Sequence, residues 1–175
     1  MKARFYIILV SFLYSVPSCA QAKFTEGVNI VNNQKFEVAR STMAFNDKKP
    51  WYIFPQKNKY KGPIPRPADN YKFPMRRSDI HVDNDMTSTI VYRVLKDKKE
   101  ALHNKNEKLG ILFVFETNGI LTDANYTLAE DSIITLSEIE QIDTALRQEI
   151  KASFTGQDYT HYVAVDYNLP RSISF

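Results

Sequence analysis

The alternation of apolar and polar residues is clearest between Leu109 and Phe175, and it predicts a mixed core there. Ile111 to Phe115 is apolar and rich in residues that favour β-strands. Asn118-Gly119 is typical of a two-residue hairpin turn, and Ile120 to Leu128 predicts the returning strand. Tyr159 to Leu169 alternates again and predicts a last strand near the C-terminus.

A two-residue turn sets the register of the predicted hairpin and pairs Phe115 with Thr122 and Phe113 with Ala124. In this register one face of the hairpin is apolar and the other carries acids and amides, so we expect the apolar face to be buried. The predicted apolar face holds Leu109, Ile111, Phe113, Phe115, Ile120, Ala124, Tyr126 and Leu128, and the other face holds Glu116, Asp123 and Asn125.

Two amphipathic helices are predicted around the hairpin. The first runs from Met86 to His103, and Asp79 to Asp85 before it predicts a strand edge and a helix cap. The second runs from Leu136 to Phe154 and begins at the capping box of Thr135 and Glu138. Its apolar stripe consists of Ile139, Ile142, Leu146, Ile150 and Phe154.

Before Met86 the pattern is weaker. Short alternating segments on either side of Asn32-Asn33 predict two short strands. Lys48 to Arg77 holds six of the eight prolines and nine basic residues against one acid, so regular structure is not expected there. Its aromatic rings leave two interpretations open: they grip an anionic or carbohydrate surface, or they anchor the segment to the core. On the first interpretation Trp51, Tyr60 and Arg66 are binding residues.

These elements predict an α+β fold: a three-stranded, or slightly larger, antiparallel sheet with two helices packed on one face, preceded by an irregular arm rich in proline and aromatic residues. The predicted organisation is a signal peptide at residues 1–22, an N-terminal arm at 23–85 and a core domain at 86–175. A composition of 43% hydrophobic and 25% charged residues is that of a folded chain, not a disordered one.

Met1 to Ala22 has the pattern of an export signal. Lys2 and Arg4 precede the apolar run Phe5 to Tyr14, which is too short to span a bilayer, and Ala20-Gln21-Ala22 is typical of a cleavage site. We therefore expect a periplasmic or secreted protein. Removing this segment leaves 21 basic and 20 acidic residues, so the charge does not point to nucleic acid.

The single cysteine leaves the end of the signal open. Val16-Pro17-Ser18-Cys19 is similar to a bacterial lipobox, in which the cysteine is acylated and becomes the N-terminus. Cleavage after Ala22 gives a chain without cysteine, whereas acylation of Cys19 gives an outer-membrane lipoprotein. On either route no intramolecular disulfide can form, and packing alone must hold the fold.

The element order from Met86 to Phe175 resembles the TonB C-terminal domain. The resemblance lies in Leu109 to Gly119, Ala145 to Arg147 and Tyr167 to Pro170, whereas Ser153 to Tyr159 stands where that family has a tryptophan-and-proline motif. The resemblance implies antiparallel strands with helices on one face. It also implies an envelope domain that recruits an extended peptide to an exposed strand edge, without transmitting force.

We therefore predict an exported, non-enzymatic module that binds a protein or peptide in the cell envelope through an exposed edge, with homodimerisation as a related mode. No cofactor, metal or catalytic residue is expected, and a membrane is a partner only through an acylated Cys19. The alternative is a hydrolase or carbohydrate-active enzyme that uses Asp and His side chains. The predicted edge residues are Tyr159, His161, Val163, Val165 and Tyr167.

Overall fold

The computed structural model describes residues 24–42, 48–61, 64, 75–155, 159–169 and 172–175, and within them the predicted α+β class is confirmed. Three α-helices accompany a large antiparallel sheet. The helices are α1 (Asn84–Val94), α2 (Lys99–Asn104) and α3 (Leu136–Glu149), and the strands are β1 (Gly27–Val31), β2 (Gln34–Arg40), β3 (Trp51–Pro55), β4 (Ile80–Val82), β5 (Lys108–Glu116), β6 (Leu121–Leu128), β7 (Ala152–Phe154), β8 (Ala164–Asn168) and β9 (Ile173–Ser174).

The main sheet has seven strands, which is more than the three, or slightly more, that the sequence predicted. Its order is β1-β2-β3-β6-β5-β8, and the short β9 pairs with the same side of β5 as β8. Strands β4 and β7 form a separate two-stranded pair. Chain neighbours β1, β2 and β3 are therefore followed in the sheet by β6, which lies about 70 residues further along the sequence.

The two short strands predicted on either side of Asn32-Asn33 are present as β1 and β2, whereas the expectation of no regular structure after Lys48 was wrong for Trp51–Pro55, which forms β3. Asn32 and Asn33 adopt positive φ angles of 47° and 64° and join β1 to β2 in a tight turn, as their sequence indicated. In β3, Trp51 and Ile53 are buried while Tyr52 and Phe54 are exposed, which is the alternation of a strand. Strand β3 lies before the boundary predicted at residue 85 and β6 lies after it, and the two strands pair in one sheet.

The hairpin of β5 and β6 keeps the predicted register from Leu109 to Val114 but not beyond. Gly119 (φ +83°) closes a three-residue turn in which its N–H donates to the carbonyl of Glu116 at 2.8 Å. A bulge then places Leu121, not Thr122, opposite Phe115. Leu121 is consequently buried and Ile120 is exposed, the reverse of the prediction for Ile120.

The predicted helix from Met86 to His103 is divided in two. Asp83 caps α1 by accepting a hydrogen bond from the backbone N–H of Met86 at 2.7 Å, as predicted. After Val94 a short 3₁₀ helix, Lys96–Lys98, redirects the chain into α2. This break allows Leu102 to reach the core, where it is fully buried.

Helix α3 begins where its capping box predicts, with the backbone N–H of Glu138 bonded to Thr135 and that of Thr135 bonded to Glu138. It ends at Glu149 instead of Phe154, because Ile150 adopts an extended conformation. The chain then forms β7, in which Phe154 pairs with Ile80 of β4. Gly156, a residue type that often follows the end of a helix, lies outside the described residues.

The sheet has two different faces. The inner face packs against the three helices in one apolar cluster. The outer face is the side of the sheet that points away from these helices. Sheet residues of the inner face include Phe36, Val38, Trp51, Ile53, Leu109, Ile111, Phe113, Phe115, Leu121, Ala124, Tyr126, Leu128 and Tyr167; those of the outer face include Val28, Ile30, Glu37, Tyr52, Phe54, Gly110, Leu112, Asp123, Asn125, Thr127, Asp166 and Asn168.

Candidate functional site

Strand β8 lies at one edge of the sheet and pairs only with β5 among the described strands. The backbone N–H of Leu169 donates to the carbonyl of Ile111 at 3.3 Å. By the alternation of an antiparallel ladder, Val165 and Tyr167 also bond to β5. The backbone N–H and C=O groups of Ala164, Asp166 and Asn168 therefore point away from the sheet.

Part of this edge is occupied by the segment that begins at Met75. The guanidinium of Arg77 donates to the carbonyl of Asn168 and lies 5.1 Å from the centre of the Tyr167 ring. The backbone N–H of Met75 donates to the Tyr162 hydroxyl at 2.9 Å. Between this segment and β8 is an indentation of about 260 Å³, lined by Met75, Arg77, Ile80, Tyr162, Ala164, Val165, Asp166, Tyr167 and Asn168.

The predicted edge residues do not share one exposed strand face. Tyr159 and His161 belong to a 3₁₀ helix, and the Tyr159 ring stacks on Phe154 at 5.7 Å. His161 is exposed rather than partly buried in a strand. Val163 is 52% exposed, whereas Val165 and Tyr167 turn towards the core and leave only 5% and 6% of their surface exposed.

The binding residues predicted in the segment Lys48 to Arg77 also lie in different environments. Trp51 is an anchor: its indole N–H donates to the carbonyl of Glu130 at 3.1 Å, and its ring is 8% exposed. Tyr60 is partly buried and lines a cleft on the outer face. Arg66 and Cys19 lie outside the described residues. The anchoring interpretation is therefore correct for Trp51.

Strand β1 lies at the other edge of the sheet and carries exposed apolar side chains. The backbone N–H of Gln56 donates to the carbonyl of Lys35, which fixes the alternation of β2 and leaves the backbone groups of Val28 and Ile30 pointing outward. The side chains of Val28 and Ile30 are 60% and 64% exposed. The lining residues of the three described indentations do not include β1.

Inside the core, Asp143 of α3 is the centre of a buried polar cluster. Its carboxylate accepts a hydrogen bond from the Tyr126 hydroxyl at 2.8 Å and contacts Lys57 Nζ at 2.7 Å and Arg147 Nε at 3.1 Å. Its side chain is completely buried. Burial raises the pKa of the Tyr126 hydroxyl well above its ordinary value, and the Asp143 carboxylate raises it further.

Arg147 extends this cluster to the edge of β6. It donates to the carbonyl of Thr122 and to the side-chain oxygen of Asn58. The Asn58 amide in turn donates to the carbonyl of Ala124 at 3.3 Å and to Asn125 Oδ1 at 2.8 Å. The pairing of β3 with β6 ends at Ile53 and Tyr126, and Asn58 bonds to the part of β6 just beyond that point. The cluster therefore holds the segment that follows β3 against β6.

The next two residues continue over the outer face. The backbone N–H groups of Lys59 and Tyr60 donate to the buried Asp123 carboxylate at 2.6 and 2.9 Å. Lys59 Nζ pairs with Glu116, and this hydrogen bond lowers the pKa of the Glu116 carboxyl. Sequence patterns placed Asp123 on the outer face but gave no sign that backbone amides would bury it.

The segment from Pro55 to Lys61 forms one wall of a cleft of about 480 Å³ on the outer face. Two aromatic rings and several hydrogen-bonding side chains surround it: Glu37, Phe54, Gln56, Asn58, Tyr60, Lys61 and Asn125, together with Pro55. Of these residues, only Tyr60 was a predicted binding residue. The sequence did contain a signal that Phe54 lies on the outer face. Trp51 to Pro55 alternates, and this places Phe54 on the face of the sheet that the buried Ile53 does not occupy.

The histidines are spread over separate elements: His81 on β4, His103 on α2 and His161 in the last 3₁₀ helix. His81 Nε2 lies 3.0 Å from the Thr155 hydroxyl. Across the described ranges, no group of three or more His, Cys, Asp or Glu side chains is arranged to hold a metal ion. No described helix has the length and apolar character needed to cross a membrane.

No protein family model matches this chain, and no curated protein matches it in sequence. In structure it is similar to a DUF5043 family protein from Bacteroides uniformis ATCC 8492, solved by crystallography. The TM-score is 0.63, and the alignment covers 86% of this chain and 87% of the other at 12% sequence identity. At that identity the similarity concerns the fold, which the two proteins share over most of their length.

Proposed function

We propose that this protein is an exported, non-enzymatic binding module of the cell envelope that takes up an extended segment of a partner protein at the outer edge of β8. The observation that carries the proposal is the position of β8, which pairs with β5 on one side and turns the backbone groups of Ala164 and Asp166 outward. An incoming strand can bond to these groups and extend the antiparallel sheet.

The indentation beside β8 supplies recognition of side chains. Alternate residues of an added strand point to the same side, so one of them can enter the space lined by Ile80, Tyr162 and Val165. Arg77 covers the Asn168 carbonyl and contributes a cation next to this space. Uptake of a longer segment requires Arg77 to exchange the Asn168 carbonyl for an acceptor on the partner.

The alternative edge, β1, is less suited to selective uptake. Its outward groups are those of Val28 and Ile30, and neither residue lines a described indentation. Backbone bonds alone give affinity without selecting a sequence, whereas pockets for alternate side chains give specificity. We therefore assign partner recognition to β8.

Proline at Asp166 tests this proposal. Asp166→Pro removes an outward N–H and leaves the bonds between β8 and β5 in place. The tagged chain, recovered from its native envelope, is expected to lose its co-purifying protein in this variant. Val28→Pro is the matched control, because it removes an outward N–H from β1 and should retain the partner. Retention by Asp166→Pro, or equal loss by both variants, contradicts recognition at β8.

The same recovered material tests export. Its intact mass and N-terminal sequence are expected to show a start at Lys23, the residue after the predicted cleavage site. A start at an acylated Cys19 instead identifies a lipoprotein. A chain that still begins at Met1 contradicts export.

A further inference from the structure

The outer-face cleft has the chemistry of a small-ligand site. Its volume of about 480 Å³ lies in the range typical of such sites. Phe54 and Tyr60 supply aromatic surface, and the rings of Phe54 and Tyr52 stack with centroids 6.4 Å apart. Together these rings form a patch of aromatic surface on which an apolar face of a ligand can pack. In this protein 37% of Phe54 remains exposed.

The polar part of the lining is electrically neutral and mixed in its hydrogen bonding. Glu37 contributes one negative charge and Lys61 one positive charge. Gln56 and Asn125 carry amides, which both donate and accept hydrogen bonds. Asn125 Oδ1 already accepts from Asn58, which leaves the Asn125 Nδ2 group as a donor. A hydroxyl group also donates and accepts, so this set matches a ligand rich in hydroxyls rather than an anion.

The cleft offers no strand edge to a peptide. Strand β2 lies between β1 and β3, and the carbonyl of Pro55 at the end of β3 already accepts the backbone N–H of Asn58 at 3.0 Å. Recognition here must therefore come from side chains. An aromatic ring beside neutral hydrogen-bonding side chains suits a pyranose, which has apolar C–H faces and a rim of hydroxyls.

The wall of the cleft is held in shape before any ligand arrives. Asn58 is bonded to β6, and the N–H groups of Lys59 and Tyr60 are bonded to the buried Asp123 carboxylate. These contacts position Tyr60 and Lys61 opposite Phe54 without help from a ligand. A site that is already ordered loses less entropy on binding.

From these observations we infer that the outer-face cleft binds one or two rings of a neutral saccharide, with a pyranose face against Phe54. This inference stands apart from peptide uptake at β8, which is separated from β3 in the sheet by β6 and β5. The two sites can therefore be tested separately.

The test is calorimetric titration of the purified full chain with cellobiose, maltose and N,N′-diacetylchitobiose, each up to about 10 mM, where millimolar binding is measurable. We expect at least one of them to bind. Phe54→Ala should weaken that binding about tenfold, and Gln56→Ala about fivefold. Ile30→Ala is the matched control: Ile30 is an exposed apolar residue of the same face, at 64%, but does not line the cleft, and the change should alter affinity by less than about threefold.

Several outcomes overturn the inference. One is the absence of binding by all three disaccharides in a wild-type chain whose thermal unfolding is cooperative. A second is an equal loss of affinity in Phe54→Ala and Ile30→Ala. A third is displacement of the sugar by tetra-alanine, which would identify a peptide site. Asp166→Pro should leave sugar affinity unchanged, so failure of the β8 proposal and failure of this one give different results.

Discussion

On β2, Phe36 points to the inner face of the sheet and is completely buried, whereas on the neighbouring β3, Phe54 points to the outer face and is 37% exposed. A phenylalanine therefore has a different role on each face of the sheet. On the inner face it fills a core formed with three helices. On the outer face it lines a cleft.

The two faces also treat buried carboxylates differently. On the inner side, Asp143 is matched by two cations and a tyrosine hydroxyl. On the outer face, Asp123 is matched by two backbone N–H groups from Lys59 and Tyr60. Lys57 contacts Asp143 on the inner side, and the backbone of Lys59 and Tyr60 contacts Asp123 on the outer face. The segment from Lys57 to Tyr60 is therefore held from both sides of β6. The inner face is therefore a packed apolar core with one charged cluster, whereas the outer face keeps a partly exposed phenylalanine and hydrogen-bonding side chains around a cleft.

Truncating the two phenylalanines should give the largest contrast. Phe36→Ala is expected to lower the free energy of unfolding by about 3–5 kcal/mol, because it leaves a cavity in the core. Phe54→Ala should lower it by less than about 1 kcal/mol, since its ring is partly in water already. Urea denaturation followed by circular dichroism measures both. Equal losses would mean that the outer face carries core packing.

Asp143→Asn should have the next largest effect. It removes the negative charge that Lys57 and Arg147 share, and breaking a buried pair in this way costs about 3 kcal/mol. The control is Asp166→Asn, the same change at an exposed position on β8, which should stay within about 0.5 kcal/mol. Denaturation of both variants checks this, and a similar small change in both would show that the buried cluster contributes little.

Tyr126→Phe should cost about 1–2 kcal/mol at neutral pH, because it removes a hydrogen bond to Asp143. The folded-state pKa of Tyr126 is raised, so its contribution is complete below the unfolded pKa of about 10 and is lost as pH rises towards the folded value. The difference in unfolding free energy between wild type and variant should therefore shrink above about pH 10. A constant difference from about pH 8 to 11 contradicts a raised pKa.

Tyr60→Phe should have the smallest effect of the four. The Tyr60 hydroxyl is shielded from solvent and has no well-aligned hydrogen-bond partner among the described residues, so removing it relieves a poorly satisfied buried group. We expect stability to be unchanged or to rise by up to about 1 kcal/mol, in contrast to the loss in Tyr126→Phe. A thermal unfolding scan of both variants compares them directly. A loss in Tyr60→Phe as large as that in Tyr126→Phe would show that the hydroxyl is bonded in solution.

Parts of the candidate sites could be read in the sequence and parts could not. The alternation of Tyr159 to Leu169 predicted a last strand, although only His161 and Val163 of the five predicted edge residues are exposed. The cleft was largely missed, because Glu37 and Phe54 lie on the consecutive strands β2 and β3, whereas Asn125 lies on β6, far along the chain. No local pattern shows that such residues will meet.

By itself the sequence determined what depends on consecutive residues. Thr135 and Glu138 start α3, Asp83 caps α1, and Asn32-Asn33 turns β1 into β2, because caps and tight turns are made by groups within a few residues of one another. The class of fold followed from the same local periods of apolar residues. These signals need no information from elsewhere in the chain.

Only the tertiary structure decided which distant segments pair. Pairing of β3 with β6 brought the supposed arm into the sheet, and pairing of β7 with β4 took Phe154 out of the helix. The bulge in β6 buried Leu121 in place of its neighbour Ile120. In each case the backbone bonds and buried area of a long-range contact outweighed a weak local preference, because that contact removes more apolar surface from water than the local arrangement could.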